Sequence, residues 1–299
     1  MRVSLAEFAA GVESVWPAPA KLNLLLHITG RRDDGYHDLQ TLFQLIDLHD
    51  DIAITVRDDG VIERLAGPSD VPAESDLVIR AARALKQATG APLGASIAIT
   101  KRIPMGGGLG GGSSDAATTL LALNHLWQTA LPLETLAELG LALGSDVPVF
   151  VYGTSAWAEG RGEKLVPVEL PERWYVVIHP GVHVATAPVF QAPELTRNSP
   201  TITMRAALQA AGRNDCESVV RKRFPAVADT LDWLAQHAPA RQSGPLLTGT
   251  GACVFAGFAS AIDAERVAAQ VPDRWTSFVA QGLNTSPVRE RLNWGVAKR

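Results

Sequence analysis

Pro104-Met105-Gly106-Gly107-Gly108-Leu109-Gly110-Gly111-Gly112-Ser113-Ser114-Asp115 sets six glycines in seven positions between a β-prone stretch ending at Lys101 and a helical pattern from Asp115 to Trp127. In regular structure each glycine costs about 0.5–1 kcal/mol relative to alanine. A fold tolerates that where backbone must approach a ligand closely or take positive φ. Backbone N–H groups of such a loop, with the positive end of the following helix, form an anion cradle suited to a polyphosphate. The hydroxyls of Ser113 and Ser114 add donors, or a route to a magnesium ion. The bland alternative is a flexible linker, but linkers are seldom flanked so tightly by a strand and a helix.

Several phosphate-binding patterns can be tested against this loop. Gly107 to Ser114 has serine where a Walker motif requires lysine, so that reading fails. Gly106-x-Gly108-x-x-Gly111 formally fits a dinucleotide fingerprint, with Glu134 near the distance of a ribose-binding acid. In a tract where almost any glycine pattern matches, the fit is weak, yet it leaves a nicotinamide-dependent oxidoreductase as a competing reading from another class. No H-R-D or D-F-G triplet occurs, which disfavours a protein kinase.

Outward from the loop, strands and helices alternate without a regular βαβ series. Lys21 to Ile28 alternates Leu22, Leu24, Leu26 and Ile28 on one face with Lys21, Asn23 and His27 on the other, although Leu25 intrudes. Leu42 to Val56 is β-prone. Asp76 to Ala88 reads as a helix capped by Ser75 and ended by Gly90, and Leu133 to Leu143 as another. Beyond a Gly/Pro-punctuated stretch from Gly160 to Pro171 come a strand at Trp174 to Ile178 and short helices. A helix from Pro225 follows, with Val227, Leu231 and Leu234 on one face. The closing pattern is a strand at Ala252 to Phe258, a helix at Ala261 to Gln270 and a strand at Trp275 to Ala280. The expected class is α+β in two domains, residues 1–165 and 166–299.

Composition narrows the partners. The 299 residues are 46% hydrophobic and 19% charged, with a net charge of −4, which is ordinary globular composition. The densest basic cluster, Arg221-Lys222-Arg223, is too small for a phosphate-backbone surface and reads as a solvated helix face. Nucleic-acid and membrane partners are therefore not expected. Cys216 and Cys253 lie far apart without metal-ligand spacing, which suits a reducing compartment. Arg2 and Ala18-Pro19-Ala20 imitate a signal peptide, but Glu7 and Glu13 interrupt the apolar stretch, so a cytoplasmic location is expected. His179-x-x-x-His183 is not a metal pair, because Pro180-Gly181 breaks the helix that spacing needs. Gly153-Thr154-Ser155-Ala156-Trp157 lacks the last glycine of a nucleophile elbow.

The wording of the motifs adds a resemblance. Pro-x-x-x-Gly-Leu-x-x-x-Ser-Ser looks like the ATP loop of the GHMP kinase superfamily of small-molecule kinases. Pro17 to Asn23 and Leu247 to Cys253 resemble that superfamily's N-terminal motif and C-terminal glycine motif, in the same order. Ala20-Lys21-Leu22-Asn23-Leu24, Asp34-Gly35-Tyr36-His37, Gly144 to Phe150 and Thr248 to Phe255 are similar to one branch, which serves non-mevalonate isoprenoid biosynthesis and whose alcohol substrate carries a cytidine diphosphate. The likeness runs from about Trp16 to Pro287. The glycine loop is longer than the superfamily's usual one, and Asp115 directly follows it.

The resemblance implies a two-domain fold with the site in the cleft between the domains, and ATP with Mg²⁺ phosphorylating the substrate's 2-hydroxyl to release ADP. It implies ATP held by Pro104, Met105, Gly106, Gly107, Gly108, Leu109, Gly110, Gly111, Gly112, Ser113 and Ser114. Asp146 would be the catalytic base and Lys21 its partner, polarising the hydroxyl. On local sequence alone Asp146, before Val147-Pro148, could equally be a plain helix N-cap whose carboxylate takes backbone donors, and Lys21 a solvated lysine. Asn23 would share the strand face of Lys21 and touch substrate. Tyr36 and Phe190 would stack on the cytosine while His37 bonds its edge; the bland reading of Tyr36 and His37, which follow a turn, is a loop anchor. Thr186, with Thr250 and Gly251, is a weaker substrate-side candidate. The metal ligands are left open, and a monomer or homodimer acting on small molecules is expected.

Overall fold

A computed structural model describes residues 10–209, 212–238 and 244–292. The signal-peptide reading rests partly on Arg2 and Glu7, which lie outside them. The strands are β1 (Glu13–Arg31), β2 (His37–Arg57), β3 (Ile62–Ala66), β4 (Gly94–Thr100), β5 (Ala156–Gly160), β6 (Lys164–Pro167), β7 (Trp174–His179), β8 (Leu246–Leu247), β9 (Val254–Phe258) and β10 (Thr276–Leu283). The helices are α1 (Leu77–Thr89), α2 (Gly111–Leu126), α3 (Leu133–Leu143), α4 (Val147–Tyr152), α5 (Thr186–Phe190), α6 (Met204–Gln209), α7 (Glu217–Arg223), α8 (Pro225–His237), α9 (Ala261–Ala268) and α10 (Pro287–Arg291).

Strand β2 is the spine. Along one edge it pairs with β1 over nearly its whole length; its other edge is shared by β5 at Leu39–Phe43, β10 at Leu45–Ile46 and β4 at Asp51–Arg57. Through β10 the sheet continues to β7, β9 and β8. The first core packs Ile52, Ile54 and Ile97 of the sheet against α1 to α4. Helix α2 lies at its centre, and its run Ala116 to Leu123 is buried on every side, as a helix apolar all round must be. The second core joins β7 and β9 to α7, α8 and α9, with Leu26 and Ile28 from the far end of β1. Between them Ala20, Leu22, Ile103, Leu109, Val177, Cys253 and Phe255 form a seam under the glycine loop.

Local expectations fare differently for physical reasons. Helix α3 spans the residues its pattern predicts, and α8 begins with Pro225 in its first turn and buries Val227, Leu231 and Leu234. Helix α1 is capped by Asp76, whose side chain accepts from Val78 N, and not by Ser75, which ends a preceding 3₁₀ turn. Gly90 closes α1 in the left-handed conformation, as predicted. Helix α2 starts four residues before Asp115, because Gly111 and Gly112 are its first turn. In β1 a bulge between Asn23 and Leu25 inserts one residue and breaks the alternation. Leu26, placed by simple alternation opposite Lys21 and Asn23, therefore lines the same cleft as they do. Arg221 and Arg223 pair with Asp232 and Glu194, a solvated helix end.

The two halves interleave. A division at 165/166 falls inside β6, whose Val166 and Pro167 pair with Trp157 and Ala156. Val288 and Leu292, near the end of the described chain, pack in the first core. No described helix is long and apolar enough to cross a membrane.

Candidate active site

A cleft of about 1070 Å³ opens over the seam, lined by the glycine loop, Lys21, Asn23, Asp146, Tyr36, His37, Thr186 and Phe190. The loop forms its floor by alternation: Gly106, Gly108 and Gly110 have φ of +65°, +74° and +75°, a region open to glycine at little cost. It is tied to both halves, since Lys21 N donates to Leu109 O (3.0 Å), Ala252 N to Gly106 O (2.9 Å) and Cys253 N to Gly107 O (3.0 Å). A side-chain carbon on Gly108 would sit 2.1 Å from the Thr248 carbonyl oxygen, and one on Gly106 2.0 Å from the His183 ring. Gly110 precedes α2 and offers no side-chain cap, so the first-turn N–H groups remain available to an anion. Ser113 lines the cleft, whereas Ser114 is turned into the protein and fully buried.

Lys21 is buried at 2% exposure. Its ammonium donates to Asn23 Oδ1 (2.6 Å) and Gly108 O (2.9 Å), lies over the Phe43 ring, and approaches Asp146 Oδ2 at 3.4 Å. Asp146 occupies the cap position of α4, but its side chain makes no capping bond. The helix-cap reading, with backbone donors on the carboxylate, is thereby corrected: the carboxylate is aimed at Lys21 and the cleft. Asn23 is committed inward as well, giving Nδ2 to Thr41 Oγ1 (2.8 Å) and receiving Lys21 on Oδ1. Its geometry is that of a group that orients the ammonium.

Beneath the loop lies a charge cluster of which the sequence reading marked only Asp115. Asp50, with no exposed surface, accepts from Arg102 N (2.6 Å) and Ile103 N (2.8 Å), so it shapes the entry to the glycine tract. Lys101 joins it to Asp115, at 2.5 Å and 2.7 Å. Burial pushes the Asp115 carboxyl up, with Lys101 opposing and Asp50 adding to the rise. The acid beside the cradle is thus engaged by a lysine beneath it. Asp50→Ala would leave two backbone donors without an acceptor and take one of two carboxylates from the Lys101 ammonium, which keeps Asp115; at about 1–3 kcal/mol per unsatisfied buried group, a loss of about 2–5 kcal/mol is expected on urea unfolding.

The opposite wall comes from three separate segments. Tyr36, half-exposed at 52%, projects from the turn before β2 and carries the Arg161 guanidinium 4.7 Å from its ring centre. His37 packs against Phe190 with ring centres 5.2 Å apart and receives Arg197 Nε on Nε2 at 3.1 Å. Burial, then Arg197 and Arg31, hold His37 below the usual histidine range. Thr186 meets Thr250 through their hydroxyls at 3.1 Å, joining α5 to the Thr248–Cys253 segment. Arg161, His183 and Arg197 line this cleft without having been singled out for it. A cation between Gly160 and Gly162 was a readable turn-tip signal for Arg161; Arg197 lies 160 residues from His37 and left none. No group of three or more potential metal-ligating side chains occurs among the described residues.

Comparison with known proteins agrees with this architecture. Residues 76–154 match the GHMP kinases N terminal domain and 193–277 the GHMP kinases C terminal domain. Over 288 residues the chain is 57% identical to a 4-diphosphocytidyl-2-C-methyl-D-erythritol kinase from Ectopseudomonas mendocina, covering 96% of this chain and 97% of that one. This chain belongs to that kinase family. A Vibrio cholerae member is 54% identical over 279 residues, covering 93% of this chain and 94% of its own length. A crystal structure of a 4-(cytidine 5'-diphospho)-2C-methyl-D-erythritol kinase superposes with a TM-score of 0.79 at 33% identity, covering 90% of this chain and 99% of that one. A homoserine kinase from Cytophaga hutchinsonii, 17% identical with a TM-score of 0.63 over 96% of this chain and 98% of its own, shares the fold. Membership settles the class as α+β GHMP kinase and leaves the dinucleotide-binding oxidoreductase without support.

Proposed function

We propose that the protein transfers the γ-phosphoryl group of ATP to the 2-hydroxyl of 4-diphosphocytidyl-2-C-methyl-D-erythritol. The observation that carries the mechanism is the uncapped Asp146 carboxylate, 3.4 Å from the buried Lys21 ammonium and beside the glycine loop. Asp146 accepts the proton of the attacking hydroxyl; the hydroxyl oxygen bonds to the γ-phosphorus as the bond to ADP breaks. Lys21, held by Asn23 and Gly108, orients the Asp146 carboxylate and polarises the hydroxyl. The loop from Met105 to Ser113 and the first turn of α2 receive the phosphates through backbone N–H groups, with Pro104 leading the chain into the loop.

Magnesium suits this set, because it takes few protein oxygens and is carried largely by phosphates and water. The Ser113 hydroxyl, which lines the cleft, would hold it. When bound, the ion neutralises charge developing on the transferred group. On the other wall Tyr36 and Phe190 supply aromatic faces for the base, and His37 a polar edge.

The test is substrate-dependent ADP release by the purified protein with ATP, magnesium and the cytidine substrate. Release with that alcohol supports the assignment; a folded, ATP-binding protein that releases none would overturn the acceptor. Tyr36→Ala is expected to raise KM for the cytidine substrate roughly 5- to 100-fold, the worth of one base–aromatic stack, and to leave KM for ATP unchanged. Equal changes in both constants would remove the stacking role.

A further inference from the structure

Arg197 follows α5 in a segment of irregular backbone, yet it makes four hydrogen bonds from one guanidinium. Nε donates to His37 Nε2 (3.1 Å), Nη1 to Leu195 O (3.0 Å), and Nη2 to Phe190 O (2.8 Å) and Ala192 O (2.6 Å). A guanidinium has five N–H donors and no acceptor. The His37 nitrogen that faces it must therefore present a lone pair. That leaves the ring neutral and puts its proton on Nδ1. The ring's position beside a fixed cation and in a buried setting works in the same direction, by disfavouring the imidazolium.

The same guanidinium draws in the carbonyls of Phe190 and Ala192, where α5 ends. A cation is favourable at such an end. Phe190 is thereby seated against His37, at 5.2 Å between centres. One side chain fixes both the aromatic wall and the hydrogen-bonding sense of the edge beside it. Lysine has no planar fork and could not reach three such directions at once.

We propose that Arg197 is a positioning residue that sets the base preference of the pocket, holding His37 as the Nδ1–H tautomer so that it offers a donor to the ligand. A base that presents an acceptor at that edge is favoured, and one that presents an N–H there is rejected. Between the pyrimidines this distinguishes the cytosine N3 lone pair from the uracil N3–H. The inference rests on the reading that a nucleotide-linked alcohol enters this cleft, but its tautomer half is independent of any substrate.

Two measurements test it on the full chain. In ¹⁵N-histidine spectra of the ligand-free protein, His37 is expected as the Nδ1–H form, and in Arg197→Met it should move toward the Nε2–H form with a higher pKa. An Nε2–H ring in the unaltered protein would overturn the proposal. In kinetics with cytidine and uridine forms of the substrate, Arg197→Met is expected to raise KM for the cytidine form about 10-fold or more, leave KM for ATP and kcat within about threefold, and narrow the cytidine–uridine ratio. Arg197→Lys, which keeps the charge and protects against a misfolded methionine variant, should fall between. An unchanged ratio in both variants, or KM for ATP rising in step, would show a merely structural arginine. If the unaltered protein phosphorylates no nucleotide-linked alcohol, the functional reading fails, and the spectra alone uphold or overturn the role of Arg197.

Discussion

Asp146→Asn should fold as the parent does, bind ATP with similar affinity, and lose on the order of 10²–10⁴-fold in kcat, the usual contribution of a positioned general base. Intact folding is expected because the carboxylate caps nothing: α4 starts without a side-chain bond from Asp146. Asparagine also preserves the shape beside Lys21 while removing the proton acceptor and the charge facing the ammonium. Single-turnover ADP formation, with thermal unfolding and ATP titration as controls, separates chemistry from binding. Turnover within a few-fold of the parent would take Asp146 out of the mechanism.

Gly108→Ala is expected to be nearly as damaging through backbone alone. Its φ of +74° is a region that costs an L-residue about 1–2 kcal/mol. The added carbon would also lie 2.1 Å from the Thr248 carbonyl oxygen and 3.1 Å from Gly251 N, neither of which can rotate away as a side chain would. The loop must shift, and the Gly108 carbonyl that accepts from Lys21 shifts with it. A displacement of this size near reacting groups can cost about 10²-fold in rate, so a loss of that order in kcat/KM for ATP is expected. Gly112→Ala is the contrast. It lies in the first turn of α2 with only Leu77 Cδ1 near, at 3.5 Å, and should gain about 0.4–1 kcal/mol on urea unfolding. Equal losses in both variants would mean that the tract tolerates no side chain anywhere and that the positive-φ argument is wrong.

These contrasts locate what the sequence could convey. Helix α3, the N-terminal proline of α8 and the left-handed Gly90 were readable because each depends on residues a few positions apart. The start of α2 was not, because glycine's low helix propensity conceals a first turn that packing on the buried core imposes. Nor was the bulge after Asn23: register is set by the partner strand, which alternation within β1 cannot report. At the site, motif wording named Lys21, Asp146 and the loop, and the fold brings them together. The bridge from Lys101 to Asp50 and Asp115, and the contact of Arg197 with His37, join polar groups through tertiary approach, so no local pattern could disclose them.

The loop's attachment to both halves also governs how the enzyme can move. Gly106 and Gly107 hold Ala252 and Cys253, while Leu109 holds Lys21. A clamshell hinge between the halves would tear these bonds and the seam below them, so opening on that axis would dismantle the phosphate floor. Movement that admits a ligand is therefore confined to the rim, where Arg161 lies over the Tyr36 ring and Arg197 reaches His37 from a separate segment. Lys21, whose backbone N–H makes one of those bonds, is carried in the same rigid floor as the loop, and Asp146 faces it across 3.4 Å.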